Sequence, residues 1–109
     1  MREIIILEMT REEEIRHLIC GVFAEECQRL AGYRVILFGS RARGDARTRS
    51  DFDVGVIGSA PMPLDDFYHL ADRLDGLPTL YQIDWVDLAR ASERFRRHAL
   101  AESEVLYEG

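Results

Sequence analysis

Residues 38–56 of the chain read FGSRARGDARTRSDFDVGV, and this stretch decides the fold. It begins at the end of a β-branched apolar run, RVILFG at residues 34–39, which predicts a buried strand that ends at a glycine. A polar, arginine-rich segment follows, and a second predicted strand, FDVGVI, occupies residues 52–57. Asp51 and Asp53 lie where this second strand begins. Two acids at the start of an apolar strand require a physical explanation.

The segment before this stretch has the pattern of an amphipathic helix. Thr10 and Glu13 form a capping-box pattern, which predicts a helix that begins at Thr10. Apolar residues then recur at helical spacing and form one stripe that ends before Gly32. The apolar run EIIILEM at residues 3–9 fits either a strand or the lead into this helix, and both alternatives stay open.

The segment after the stretch predicts two more helices and one more strand. Apolar residues at helical spacing over residues 64–74 indicate a helix that stops near residues 76–78, GLP. The run LYQIDWVDL at residues 80–88 has the pattern of a third strand, and residues 95–100 predict a last helix that closes with VLYEG. The resulting order is helix, strand, strand, helix, strand, helix. It predicts an α+β fold in which one small mixed β-sheet is covered by helices.

The bulk properties indicate one small domain that spans residues 1–109. The net charge of −6 and the pI near 5.0 disfavour nucleic-acid and anionic-membrane partners, so any anion-binding site must be local. No apolar run approaches the roughly 20 residues of a membrane span. Cys20 and Cys27 are seven positions apart on a predicted helix, hence about 10 Å apart, and we expect reduced, buried thiols. These properties predict a cytoplasmic protein.

The two acids at the start of the second strand indicate a cation site. Asp51 and Asp53 are two positions apart, so their side chains project from the same face of a strand. Two like charges this close destabilise the fold unless a cation lies between them. Mg²⁺ favours one or two carboxylates together with substrate phosphates. Charged residues are also common where strands begin, so this pair alone does not decide the function.

A third acid lies inside the apolar run of residues 80–88. Asp84 is in the strand interior, where a carboxylate is costly unless it has a partner or a function. Strand alternation places Asp84 and Val86 on one face and Asp87 on the other, so Asp84 and Asp87 cannot both join one site. We assign Asp84 to the site and expect Asp87, at the strand end, to be solvated or to cap the next helix.

The Gly39-Ser40 pair directly follows the first strand. Glycine lets a ligand approach the backbone closely, and Ser40 offers a hydroxyl and an N–H to a phosphate at the start of a short helix. The same pair also occurs in ordinary turns.

The arginines that follow suit bidentate contacts with phosphate. Arg43 is the strongest candidate, and Arg41 is the next. Arg47 and Arg49 fit a solvated loop that balances the neighbouring aspartates at least as well.

These motifs together resemble a known family. The Gly-Ser pair at residues 39–40, a gap of ten residues, the Asp-x-Asp at residues 51–53 and the later Asp84 resemble the nucleotidyltransferase superfamily that includes DNA polymerase beta. Within it, the chain is most similar to the minimal nucleotidyltransferases, the MNT proteins. The resemblance extends over about residues 35–88. Gly55 departs from it, because the family usually has a branched aliphatic residue there.

The resemblance implies a polymerase beta-like nucleotidyltransferase fold with defined residue roles. Gly39 and Ser40 would contact the β- and γ-phosphates of ATP. Asp51 and Asp53 would ligate Mg²⁺, with two ions expected in the site. Asp84 would complete the second metal position and help to deprotonate the acceptor hydroxyl.

The implied activity is Mg²⁺-dependent transfer of AMP from ATP to a hydroxyl group. The chain is too short to supply an acceptor domain, so we expect a second protein to carry the acceptor. MNT proteins similar to this one are commonly antitoxins that adenylylate a tyrosine of a HEPN-domain ribonuclease toxin. The alternative is a non-catalytic binding module that neutralises a partner toxin by contact. The nucleotide, the acceptor and the association into homo- or hetero-oligomers stay open, and the acidic surface disfavours nucleic-acid extension.

Overall fold

The structure, a computed structural model, describes residues 10–43 and 51–109, except for the side chains of Ser40 and Arg43. The strands in these residues are β1 (Tyr33–Phe38), β2 (Phe52–Gly58), β3 (Ile83–Asp87) and β4 (Glu104–Glu108). The helices are α1 (Arg11–Glu25), α2 (Ser40–Arg43), α3 (Leu64–Asp75) and α4 (Glu93–Ala101), and a 3₁₀-helix at Cys27–Leu30 follows α1. The apolar run at residues 3–9 lies outside the described residues.

The strands form one mixed sheet in the order β3-β2-β1-β4. β1 is antiparallel to β2 and to β4, whereas β2 and β3 are parallel. α3 makes the crossover between the parallel pair, as a parallel connection requires. The predicted α+β fold with a small mixed sheet and covering helices is therefore confirmed.

The closing VLYEG segment was predicted to end the last helix, and this prediction was wrong. α4 ends at Ala101, and residues 104–108 form β4 along the free edge of β1. The local cause is that Val105 is β-branched and Tyr107 is aromatic, and residues of both kinds favour strands. The pairing partner is distant in sequence, so local periodicity does not reveal it.

Capping interactions fix where the helices begin. Thr10 Oγ1 accepts a hydrogen bond from the Glu13 N–H at 3.1 Å, and Glu13 Oε1 accepts one from the Thr10 N–H at 3.1 Å. This confirms the predicted capping box. The Thr10 backbone donor lowers the pKa of Glu13, because it stabilises the ionised carboxylate. Ser92 caps α4 in the same manner by accepting from the Phe95 N–H.

The larger core lies on the face of the sheet that α1 and α3 cover, the α1/α3 face. Trp85 of β3 stacks between Phe23 and Phe67, with ring centroids 5.5 Å from each, and its indole N–H donates to the Phe67 carbonyl. Trp85 therefore packs beneath both α1 and α3. The buried members of this core are Ile15, Ile19, Val22, Phe23, Leu30, Val35, Leu37, Phe52, Val54, Val56, Met62, Leu70 and Leu74.

Ion pairs join the end of α1 to α3 above this core. Glu26 accepts from His69 Nε2 at 2.9 Å and also pairs with Arg73. The hydrogen bond with His69 is the largest cause that lowers the pKa of Glu26. Arg29 Nη1 bridges in the same way to Asp66 at 2.6 Å.

The opposite face, the α4 face, carries a smaller core. Ile36 and Phe38 of β1 pack with Leu88 and Ala99 there. Gly55 lies among them, and a Cβ at this position would approach Leu88 Cδ1 to 2.9 Å. The absence of a side chain at Gly55 therefore makes room for Leu88, which explains the departure from the family pattern.

Asp87 corrects a second prediction. It was expected to be solvated or to cap a helix, but it is only 6% exposed and lies on the α1/α3 face. Its carboxylate accepts from the Met62 N–H at 2.8 Å and from the Ala89 N–H at 3.0 Å. Arg90 approaches the same carboxylate at 3.5 Å. Asp87 thus holds the loop before α3 against the end of β3.

The cysteines are free thiols in the structure. Cys20 is half-buried, and burial raises the pKa of its thiol. Cys27 is exposed, so the expectation of two buried thiols was wrong for that residue. Within the described parts of the chain, each helix is too short or too polar to cross a bilayer.

Substitution of Gly55 by alanine tests the packing on the α4 face. We expect Gly55→Ala to lower the free energy of unfolding by about 1–3 kcal/mol, because the added methyl group overpacks the contact with Leu88. Gly21→Ala is the matched control, since a Cβ at Gly21 meets no atom within 4 Å. Its mid-helix position should gain about 0.5–1 kcal/mol. Equal effects of both substitutions in urea unfolding would contradict the packing argument.

Asp87 and Asp84 allow a matched test on one strand. Asp87→Ala should lower the free energy of unfolding by about 2–3 kcal/mol, because it leaves the buried Met62 N–H without its acceptor. Asp84→Ala, on the other face, should change it by no more than about 1 kcal/mol. Urea denaturation measures both. A larger loss for Asp84→Ala would show that the structural and site roles are assigned to the wrong aspartates.

Candidate active site

The candidate site lies at one end of the sheet on the α4 face. β1 ends there at Phe38, Gly39 follows it, and the antiparallel β2 begins there, with Phe38 opposite Asp53. β3 runs parallel to β2, so its first residues lie at the same end. This topology brings the turn after β1 together with the acidic starts of β2 and β3.

Strand register places two of the predicted acids side by side. Asp53 of β2 pairs with Asp84 of β3. Registered neighbours on parallel strands project from the same face, and adjacent strands lie about 4.8 Å apart. The sequence-based choice of Asp84 rather than Asp87 is consistent with this register, because the Val56–Asp87 pair lies on the α1/α3 face.

Gly39 lies directly against the Asp53 carboxylate. Its φ is +74°, in the left-handed region that favours glycine. A Cβ at Gly39 would lie 2.3 Å from Asp53 Oδ2 and 3.2 Å from its Cγ. Glycine is therefore required at position 39 for two reasons. The backbone has a positive φ, and the Asp53 carboxylate occupies the space that a Cβ would need.

The carboxylates on the two strands have different neighbours. Asp53 Oδ2 lies over Gly39, whereas Asp84 Oδ1 accepts from Gln82 Nε2 at 2.9 Å. Asp51 is exposed and precedes the first residue of β2. Its distance of two positions from Asp53 places it on the side of the α4 face.

The donor chemistry suits a hard dication, although the side chains do not form a closed ligand set. Across residues 10–43 and 51–109, no three His, Cys, Asp or Glu side chains are grouped closely enough to hold a metal ion. Asp51, Asp53 and Asp84 nevertheless offer carboxylate oxygens at one end of the sheet, and Mg²⁺ prefers oxygen ligands. The chemistry of these oxygen donors therefore matches the ligands that Mg²⁺ prefers.

The other predicted nucleotide-binding residues are only partly described. Gly39 is followed at once by α2, so Ser40 begins this short helix and Arg43 ends it. Their side chains lie outside the described part of the structure, as do Arg47 and Arg49 entirely.

Arg41 has a different position from the one predicted. It was the second candidate, after Arg43, among the arginines expected to flank a phosphate site, but it is only 6% exposed. Its Nη1 donates to Glu12 Oε1 at 2.9 Å, and its Cζ lies 4.5 Å from the Phe52 ring centroid and 5.1 Å from that of Tyr81. The Arg41 guanidinium is thus packed beneath the turn. No local motif signals this, because Glu12, Phe52 and Tyr81 come from separate segments.

Substitution of Gly39 tests the contact with Asp53. We expect Gly39→Ala to lower the free energy of unfolding by about 2–4 kcal/mol, from left-handed backbone strain and the clash with the carboxylate together. Gly32→Ala is the matched control, because Gly32 has φ +85° but nothing within 4 Å of a Cβ. It should lose only about 1 kcal/mol.

A double-mutant cycle separates these two causes. In an Asp53→Ala background, the cost of Gly39→Ala should fall to that of Gly32→Ala, because the clash is gone. The free energies come from urea unfolding. A cost that stays the same in both backgrounds would exclude the proposed contact.

Solved structures share this fold. The chain is similar to a toxin–antitoxin structure with AMP-PNP, at 21% sequence identity and a TM-score of 0.65 over 86% of this chain and 73% of that chain. It is similar to a complex of a tri-AMPylated Shewanella oneidensis HEPN toxin with an MNT antitoxin, at 19% identity and a TM-score of 0.59 over 86% of this chain and 73% of that chain. A proposed minimal nucleotidyltransferase matches at 26% identity and a TM-score of 0.60, over 89% of this chain and 97% of that chain. The first two likenesses show the fold alone.

Sequence comparison gives the family. No curated protein matches the sequence significantly. The family model described as polymerase beta, nucleotidyltransferase, matches residues 31–109. This range contains all four strands, Gly39 and the three aspartates of the candidate site. The chain therefore belongs to the polymerase beta nucleotidyltransferase family.

Proposed function

We propose that this chain is a Mg²⁺-dependent nucleotidyltransferase that transfers AMP from ATP to a hydroxyl group of a partner protein. The observation that carries the proposal is the register of Asp53 with Asp84 beside Gly39. Adjacent carboxylates on one sheet face repel each other, so their retention is understandable where the site binds cations. Family membership supports the reaction class.

The nucleotide would bind at the turn after β1. Gly39, with φ +74°, forms this turn and lies directly against the Asp53 carboxylate, and we assign Gly39 and Ser40 to the β- and γ-phosphates of ATP. We assign Arg43, at the end of α2, to a further phosphate contact, since guanidinium groups bind phosphate oxygens in pairs. Arg41 has no part in this contact because its guanidinium is buried.

The three aspartates would hold the metal. Asp51 and Asp53 would ligate Mg²⁺, and Asp84 would complete the second position. When bound, two such ions stabilise the charge on the attacking and the leaving oxygen of an in-line displacement. The remaining task of these residues is to position the acceptor and the triphosphate, which is the main requirement of phosphoryl-type transfer.

The transfer requires no reactant other than ATP and the acceptor hydroxyl. The acceptor oxygen forms a bond to the α-phosphorus of ATP, and the bond from that phosphorus to the bridging oxygen of the β-phosphate breaks. Pyrophosphate leaves with the electron pair of the broken bond. Asp84 helps to take the proton of the acceptor hydroxyl, since a carboxylate in reach of the nucleophile serves as a general base.

The acceptor in this proposal is a HEPN-domain toxin, for which the chain would act as antitoxin. Structures with this fold include a complex of a tri-AMPylated HEPN toxin with an MNT antitoxin. We therefore propose that residues 1–109 act as a minimal nucleotidyltransferase domain that adenylylates a partner of this class. We place the reaction in the cytoplasm, where ATP and Mg²⁺ are available and thiols stay reduced.

The reaction is testable with the neighbouring gene product. The chain, ATP, Mg²⁺ and an adjacently encoded HEPN-domain protein are mixed, and intact-mass spectrometry follows the addition of one AMP unit to the partner. Asp53→Asn should lower the transfer rate by about 100-fold or more, because it removes a metal ligand at the reacting phosphate. Circular dichroism and urea unfolding verify that the variant is folded.

Asp65→Asn is the matched control. Asp65 is an exposed acid in the first turn of α3, on the side of the sheet away from the candidate site. It should transfer AMP at the wild-type rate, so loss in both variants would indicate a general charge effect instead of a site effect. If Asp53→Asn neutralises the toxin as well as the wild-type chain does, without AMP transfer, the protein is a binding module and not an adenylyltransferase.

A further inference from the structure

The guanidinium of Arg41 joins four separate segments of the chain. Arg41 belongs to α2, which directly follows Gly39. It pairs with Glu12 in the first turn of α1 and lies over the rings of Phe52 and Tyr81. Phe52 begins β2, and Tyr81 leads into β3. One buried side chain therefore links α2 to the start of β2 and to the residues that lead into β3. These segments carry or adjoin the residues of the candidate site.

The two aromatic rings form a corner for this guanidinium. Their centroids are 5.7 Å apart and their planes are 84° to each other. A guanidinium over the face of an aromatic ring is attracted by its negative face, and the attraction is stronger where water is excluded. Arg41 is 6% exposed and Phe52 is 0% exposed, so water is excluded on both sides. A lysine ammonium would keep the charge but lose the flat stacking surface.

The positions of the two rings connect Arg41 to the acids. Phe52 lies between Asp51 and Asp53 in sequence, and its ring is on the α1/α3 face while the acids project from the other side. Tyr81 is three positions before Asp84. Contact with both rings thus fixes the positions at which the two acid-bearing strands, β2 and β3, begin relative to α2.

Helix α2 depends on such contacts, because it has only four residues. A helix this short is not stable by its own hydrogen bonds. Ala42 packs against the core from the same helix, and Arg41 adds the ion pair and the ring contacts. The orientation of the turn at Gly39 and Ser40 therefore follows from where Arg41 is held.

We propose that Arg41 is a positioning residue: it holds the Gly39-Ser40 turn at a fixed distance from Asp53 and Asp84, so that a triphosphate can contact the turn and the acids together. This inference rests on the proposed function, since it assigns the turn to the β- and γ-phosphates. Arg41 acts through Phe52 and Tyr81 and does not touch the nucleotide. Its loss should weaken binding of ATP more than binding of AMP, which lacks the two outer phosphates.

Arg41→Lys and a matched control test this selectivity. Isothermal titration in Mg²⁺ gives the affinities for ATP and for AMP, and thermal unfolding gives the stability. Arg41→Lys should weaken ATP binding about tenfold and AMP binding less than about twofold. Arg16→Lys is the control, because Arg16 also pairs with Glu12 and its second partner is Glu104 of β4. Arg16→Lys should leave the ratio of the two affinities unchanged.

Two substitutions of Tyr81 keep the proposal testable if Arg41→Lys fails to fold. Tyr81→Leu removes the ring face and should reproduce the selective loss of ATP affinity. Tyr81→Phe keeps the ring face and should keep the wild-type ratio of the affinities for ATP and AMP. A merely structural role would lower the melting temperature of Tyr81→Leu without a change in that ratio.

The outcomes separate this inference from the proposed function. If Arg41→Lys and Tyr81→Leu bind ATP as tightly as the wild-type chain does, with the same ratio of ATP affinity to AMP affinity, the positioning role is overturned. The nucleotidyltransferase proposal would then stay intact. Absence of ATP binding by the wild-type chain would overturn the proposed function, and the positioning role with it. A selective loss of ATP affinity in both variants, with Tyr81→Phe and Arg16→Lys unaffected, would establish the positioning role.

Discussion

The parallel pairing of β2 with β3 couples the core to the candidate site. Strand side chains alternate between faces, so a register that buries one set fixes the position of the other. Val54 pairs with Trp85 on the α1/α3 face, where Trp85 is held between two phenylalanine rings. The next pair along the strands, Asp53 with Asp84, must then project from the α4 face. A slip of β3 by one residue would turn Trp85 away from the α1/α3 face and turn Asp84 toward it, so the apolar core enforces the pairing of the acids.

This coupling gives the two faces of the sheet different tasks. The α1/α3 face carries the large apolar side chains and provides most of the burial. On the α4 face, glycines at positions 39 and 55 remove side chains where a carboxylate and Leu88 need space. Helix α4 packs over the smaller core of this face through Ala99, while the end of the sheet with Asp53 and Asp84 has half-buried side chains. The face that contributes less to the core is therefore the one on which polar groups can meet a ligand.

Features with a local cause were predictable from the sequence, and features with a distant partner were not. The start of α1 follows from Thr10 and Glu13, and the facing of Asp84 follows from alternation within one strand. The strand β4 was missed because its partner β1 lies far away in sequence, and because a helix ends only two residues before it. Within the site, Asp51, Asp53, Asp84 and Gly39 were chosen as candidates from their spacing in the sequence. The burial of Arg41 depends on an acid and two rings from three other segments, which no local pattern reveals.

The two aspartates of β3 show how burial and partners distinguish structural from functional acids. Asp87 is buried, but two backbone N–H groups and Arg90 surround its carboxylate, so its charge is compensated within the fold. Asp84 accepts from an exposed glutamine side chain and has Asp53 as its registered neighbour. Replacement of Asp84 by an apolar residue would remove repulsion without leaving a buried donor unpaired, which stability alone would favour. The proposed function would explain an acid at this position by the metal ion that it ligates, whereas the acid three positions later is explained by what it holds in place.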